Sequence, residues 1–283
     1  MDVLKNCRVY KLSSFKNPTE QFIKLEKNEI NITNNPVSLS LILDKIKYLH
    51  LIEHEFKLSN FKCSLAQSCI KNLQADGKGN EKCILVIDII SAWKKYLLNK
   101  EYIASDVKGS SYSETDGETT SHENSQIPEP DSTENNEVGV YYLNSSDILN
   151  MEGILKFFSK LNENPIETLE KYCHFPKTVN FKQQLSGIIV DNISYFAHDN
   201  HMNIQQNTAH YSTLLNMFKT LRKTFGCWVI SVSYGMEFYD GVELSTSSIY
   251  RSGSHTRVPI NYTSGMDTIL LRDTESTGRF CNI

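Results

Sequence analysis

Three short apolar runs limit this chain more than any other feature in it. They are Cys83-Ile84-Leu85-Val86-Ile87-Asp88, Gly187-Ile188-Ile189-Val190-Asp191 and Cys227-Trp228-Val229-Ile230-Ser231-Val232. A run this apolar cannot leave one face in water, so it reads as a strand covered on both sides. Tyr48 to Ile52 reads as another strand. Asp267 to Arg272 and Arg279 to Ile283 read as closing strands joined by a Ser276-Thr277-Gly278 turn. Helical patterns lie between them. Cys63 to Leu73 has helical character. Ser145 or Ser146 can cap a helix with Ile148, Leu155, Phe158 and Leu161 on one face, and Pro165 opens a further short helix. Thr208 can cap a helix with the stripe Tyr211, Leu214, Leu215, Phe218, Leu221 and Phe225, which Gly226 ends. Alternating strands and helices predict an α/β fold, a mostly parallel sheet with helices on both faces.

The 283 residues suffice for one domain with a substantial core. The exception is Ser105–Glu137, which holds nine acids, one base and almost no aliphatic side chains. It cannot bury enough apolar surface to offset its ordering entropy, so we expect an acidic, disordered insertion within a single domain spanning 1–283. Its density of Ser and Thr also suits a regulatory segment. The net charge of −4 is set there: the remainder carries 28 bases against 24 acids, a mildly basic balance that permits nucleic-acid binding.

No apolar run is long enough for a membrane span, and the first residues lack the apolar stretch of a signal peptide. A cytosolic or nuclear location is expected. The seven cysteines are scattered with no C-x-x-C pair, which suits reduced thiols and argues against a zinc site.

A buried strand ending in an acid is half of a phosphate-binding ATPase site, in which the acid orients magnesium beside a glycine-rich loop. Ile189-Val190-Asp191-Asn192 supplies that half. The loop motif G-x-x-x-x-G-K-[ST] occurs nowhere. Its topological place, after the first strand, holds His54-Glu55-Phe56-Lys57-Leu58-Ser59-Asn60-Phe61. His54 and Ser59 stand where glycines are needed to let backbone N–H groups face phosphate, Asn60 stands for Lys and Phe61 for Ser/Thr. The expectation is a degenerate nucleotide site, no cofactor, no metal and no catalytic residue.

Several segments resemble a known family: Met1-Asp2-Val3-Leu4-Lys5-Asn6, Leu49-His50-Leu51-Ile52-Glu53, Leu85-Val86-Ile87-Asp88-Ile89, Gly187-Ile188-Ile189-Val190-Asp191-Asn192, Phe225-Gly226-Cys227-Trp228-Val229-Ile230, Glu237-Phe238-Tyr239-Asp240-Gly241 and Ser264-Gly265-Met266-Asp267. Together they resemble the platinum-sensitivity subunits of the budding-yeast Shu complex, degenerate RecA-like recombinase paralogues. The resemblance implies a RecA-like sheet flanked by helices and a heterodimer with a second degenerate paralogue. It further implies other Shu-complex subunits as partners and a nuclear location. The expected activity is non-enzymatic binding to forked or single-stranded/double-stranded junction DNA. Such a subunit helps load the strand-exchange recombinase in homologous recombination, DNA repair and error-free damage tolerance. Active relatives carry a water-activating Glu two residues beyond the acid of the second strand, where this chain has Ile90.

In the family a loop between the Trp-bearing strand and the Gly-Met-Asp segment meets DNA. Its counterpart lies within Glu243–Thr263 and makes Tyr250, Arg251, His255 and Arg257 the candidate DNA-binding residues; Tyr262 lies in the same stretch. Arginine neutralises phosphate and tyrosine stacks on an exposed base. Only Arg251 and Arg257 are fixed cations, so a protein-only scaffold without DNA contact is the alternative. His198 and His201, in the loop after Asp191, are secondary candidates.

Overall fold

The computed structural model describes residues 18–25, 30–31, 44–53, 58–99, 136–144, 146, 148, 150–174, 183–198, 204–235, 256–272 and 280–282. Its elements run β1 (Ile30–Asn31), β2 (Tyr48–Glu53), α1 (Asn60–Gln74), β3 (Lys82–Asp88), α2 (Trp93–Asn99), β4 (Gly139–Asn144), α3 (Met151–Glu163), α4 (Pro165–Tyr172), β5 (Gln184–Asp191), α5 (Ile204–Phe225), β6 (Trp228–Tyr234), α6 (Ile260–Thr263), β7 (Thr268–Arg272) and β8 (Phe280–Asn282). Among the described residues the strands form one sheet in the order β1-β8-β7-β2-β6-β5-β3-β4. The six strands from β7 to β4 are all parallel; β8 runs antiparallel to β7. This is the α/β arrangement expected of a RecA-like core.

The apolar runs explain the two-sided burial. Within β3, Leu85 and Ile87 face a layer containing Ile154, Phe157 and Phe158 of α3 and Leu214 and Phe218 of α5. Ile84 and Val86 face the opposite layer, with Leu65, Ile70 and Leu73 of α1 and Trp93 of α2. Successive strand side chains point to opposite faces, so an unbroken apolar run feeds two cores at once.

Two helix starts differ from the sequence expectation. α3 begins at Met151, capped by Asn150, whose side chain accepts from the Gly153 amide at 2.8 Å, so the cap lies later in the chain than the expected Ser145 or Ser146. The buried stripe is accordingly Met151, Ile154, Phe157, Phe158 and Leu161, with Leu155 only partly covered. α5 begins at Ile204, four residues before Thr208, whose carbonyl instead accepts from Ser212 Oγ inside the helix. Pro165 does open α4. The acidic stretch 105–137 lies outside the described residues apart from Asn136 and Glu137.

The segments Gly226-Cys227-Trp228 and Gly265-Met266-Asp267 turn out to carry the scaffold. Gly226 has φ +74, a left-handed value suited to a helix stop, and a Cβ there would lie 2.5 Å from the Thr19 carbonyl oxygen. Arg222, one turn earlier, donates to the carbonyls of Gln21 and Cys227 and pairs with Glu20 at 2.9 Å. Asp267 accepts from the amides of Lys47 and Tyr48 at 2.7 and 3.1 Å, fixing where β2 begins. No described helix is long and apolar enough to cross a membrane.

Candidate functional site

All six parallel strands end at one edge, the edge at which open α/β sheets hold ligands. Glu53, Asp88 and Asp191 end β2, β3 and β5 there. Asp88 and Asp191 are register partners on adjacent strands. All three acids are fully buried.

Each acid is met by the chain itself. Asp88 accepts from the amides of Ala92 and Trp93 at 2.9 and 2.8 Å, capping α2, and from the Tyr142 hydroxyl at 2.9 Å. Burial raises the Asp88 pKa against those donors. Asp191 Oδ2 accepts from Trp93 Nε1 at 2.8 Å and from Lys62 Nζ at 2.7 Å. Lys62 Nζ also lies 3.2 Å from Glu53 Oε2, and Ser59 Oγ donates to Glu53 Oε1 at 2.5 Å.

This arrangement follows from the start of α1. Ser59 is the N-cap, and its side chain accepts from the Lys62 amide. That sets Lys62 on the inward face of the first turn, 2% exposed. Burial pulls the Lys62 pKa down, but Asp191 and then Glu53 more than offset it, so the ammonium stays protonated. Burial lifts the Glu53 carboxyl above its usual value even though Lys62 and Ser59 act the other way. The space under this turn, bounded by Leu51, Leu65, Trp93, Ile189, Ile230 and Val232, has no room for a water molecule. Position counting put Asn60 where a phosphate-binding Lys would stand. The side chain that reaches the strand acid is Lys62, two residues on. His54–Lys57 lie outside the described residues.

The candidate DNA loop departs from the same edge. Its roots are Gly235 and Thr256, joined by an antiparallel bridge. Tyr250, Arg251 and His255 lie outside the described residues; Arg257, next to the root, is half-buried. The backbone of His198 ends the 3₁₀ turn Ile193–His198, and His201 lies outside the described residues. Ser194 in that turn accepts from the Tyr234 amide at 2.9 Å, so the turn after Asp191 and the root of the candidate loop touch. Gly235 donates to the Glu53 carbonyl at 2.7 Å, tying the same root to β2.

A buried polar chain holds this root. Thr256 Oγ1 lies 2.9 Å from both the Tyr234 carbonyl and Ser233 Oγ. Ser233 Oγ lies 2.9 Å from His50 Nε2, and His50 Nδ1 lies 2.8 Å from Ser231 Oγ. The carbonyl can only accept, which orients the rest. Thr256 donates to it, Ser233 donates to Thr256, His50 Nε2–H donates to Ser233, and Nδ1 accepts from Ser231. Replacing Thr256 with Val removes the middle of this chain and leaves buried groups unpaired. A loss of about 2 kcal/mol in urea unfolding is expected, with Thr256→Ser restoring most of it. A Thr256→Val protein as stable as the parent would show that the root is held elsewhere.

Comparison with known proteins gives two matches. The family model described as Shu complex component Psy3, DNA-binding, matches residues 7–275. The Saccharomyces cerevisiae protein named platinum sensitivity protein 3 is 28% identical over 281 residues, covering 96% of this chain and 93% of that protein. With a match running through nearly all of a chain whose strand ends, scaffold motifs and loop roots are now in view, the chain belongs to the family of the Shu complex component Psy3.

Proposed function

We propose that this chain is a non-enzymatic, nuclear, DNA-binding accessory subunit of a Shu-type recombination-repair complex. It pairs with a second degenerate recombinase paralogue and joins further Shu-complex subunits. The assembly engages forked or single-stranded/double-stranded junction DNA and promotes assembly of the strand-exchange recombinase filament in error-free damage tolerance. The observation that carries this reading is the family match over residues 7–275, whose description includes DNA binding.

Two further points support it. The acid that would orient magnesium, Asp191, is engaged by Lys62 and Trp93, which suits a subunit that works without nucleotide. The turn after Asp191 and the root of the Glu243–Thr263 stretch meet at the ligand-binding edge of the sheet, so both could present side chains to one duplex or junction. Arg251 and Arg257 are the phosphate contacts of this reading, and Tyr250 and His255 its base-stacking and polar contacts.

The test is DNA affinity of the assembled complex as a function of salt. Changing Arg251 and Arg257 together to Ala is expected to weaken binding uniformly across sequences. The slope of log affinity against log salt should become shallower by about 2, one phosphate per arginine. Unchanged slope and affinity would remove the loop assignment and favour the protein-only scaffold.

A further inference from the structure

We propose that Lys62 is a tethered counter-ion: its ammonium fills a cation site made by Glu53 and Asp191, so the junction of β2, α1, β5 and α2 is locked without any bound ion or nucleotide. The two carboxylates belong to strands β2 and β5, which are separated in the sheet by β6. One ammonium reaches both, at 2.7 and 3.2 Å, from the first turn of a helix whose cap fixes its direction. Its aliphatic stem runs beside Leu51, Leu65, Ile230 and Val232, so the charge enters the core along an apolar sleeve.

All three side chains have lost their hydration, so removing any one of them leaves the others without the partner that compensates for burial. Phosphate-binding ATPases place a strand-end acid beside magnesium. Here the matching acid takes a covalently attached cation instead, so the pairing is intramolecular and does not depend on the concentration of a free ion. Asp191 Oδ1 is buried with no hydrogen-bond partner, so the site has more acceptor capacity than Lys62 and Trp93 use. That surplus is what a site shaped around a cation leaves when an ammonium occupies it.

The consequence reaches the edge of the sheet. Asp191 leads directly into the turn whose Ser194 holds Tyr234, and Glu53 gives its carbonyl to Gly235. Bridging the two acids with one ammonium therefore ties both strand ends to α1, next to the Gly235–Thr256 root. If the DNA-binding reading failed, the counter-ion would remain, because it depends only on these three side chains.

Thermal melts of the full chain test it. Lys62→Met keeps the stem and removes the charge; its Tm is expected to fall by about 10 °C. Lys62→Ala should regain several degrees in methylammonium chloride but not in equal sodium chloride, while the parent protein responds to neither. The charge-free combination Glu53→Gln, Lys62→Met and Asp191→Asn should melt well above Lys62→Met and ignore methylammonium. It decides the matter if Lys62→Ala does not fold. Lys62→Met melting with the parent, a charge-free variant no better than Lys62→Met, or a folded Lys62→Ala indifferent to methylammonium would each overturn the proposal.

Discussion

Gly187→Ala is expected to destabilise the protein by about 3 kcal/mol, a fall of roughly 10 °C in Tm, although it adds a single methyl group. Gly187 and Trp228 are register partners on the adjacent parallel strands β5 and β6. A Cβ on Gly187 would lie 2.2, 2.4 and 2.5 Å from Cζ2, Cε2 and Cη2 of the Trp228 indole. Those atoms belong to a rigid ring that is 1% exposed and packed in the layer with Ile189, Ile230 and Val232. Neither strand can move away, because each pairs on both sides within the sheet. Shrinking the ring tests the cause. Trp228→Phe alone should be destabilising through lost volume, yet combined with Gly187→Ala it should recover part of the alanine penalty. Simple additivity in that double-mutant cycle would mean that the penalty arises from β5 itself and not from the indole.

This pairing shows what could be read in the sequence. The runs ending in Asp88 and Asp191 announced themselves as buried strands because both faces of the sheet needed apolar side chains. The requirement for glycine opposite tryptophan could not be read, since it depends on which strands become neighbours. β4 is a similar case. Gly139–Asn144 has the pattern of a strand but begins just beyond an acidic stretch, and its place at the sheet edge beside β3 comes only from tertiary pairing. The helix starts failed for a local reason: Ser145, Ser146 and Thr208 are good caps by residue type, but Asn150 is the one whose oxygen meets a free amide at the start of α3.

The candidate site divides along the same line. Asp191 was legible as a strand-end acid, and the missing phosphate loop was legible as a missing motif. Lys62 was not. Counting from the strand placed the wanted cation at Asn60, whereas the direction of a side chain in the first helical turn is set by the cap and not by position in a motif. The usable signal was Ser59 followed three residues later by a long basic side chain in an otherwise apolar helix face. Trp93 needed the fold as well, because its indole reaches Asp191 across from β3 to β5. Tyr250, Arg251 and His255 stand on the chemistry of their residue types and the family match, with the Gly235–Thr256 bridge locating the root of their loop.

The buried polar chain at that root leads to the second large effect, a pH dependence traceable to His50. The imidazole is fully buried between Ser231 and Ser233, with its ring edge against Tyr262 at 5.7 Å between centroids. Burial pushes its pKa down to about 3, with the Ser231 backbone acting weakly the other way. The folded value lies below the unfolded one near 6.5, so between them the unfolded chain binds the additional proton. The contribution is thus fully present above pH 6.5 and is lost as the pH falls toward 3. The whole interval is worth about 5 kcal/mol, and the step from pH 7 to pH 5 about 2 kcal/mol. Glu53 and Asp88 act in the opposite sense, because burial raises their carboxyls and the folded chain then holds protons that the unfolded chain has released. The measured quantity must therefore be a difference. Urea unfolding of the parent and of His50→Gln at pH 7 and pH 5 isolates it: glutamine can hydrogen-bond to the same serines and cannot titrate. The parent should lose about 2 kcal/mol more than the variant over that step. Equal losses would mean that His50 accepts its proton without leaving the fold. The Ser231 hydroxyl would then have turned to accept from the protonated ring, since a doubly protonated imidazole has no acceptor nitrogen.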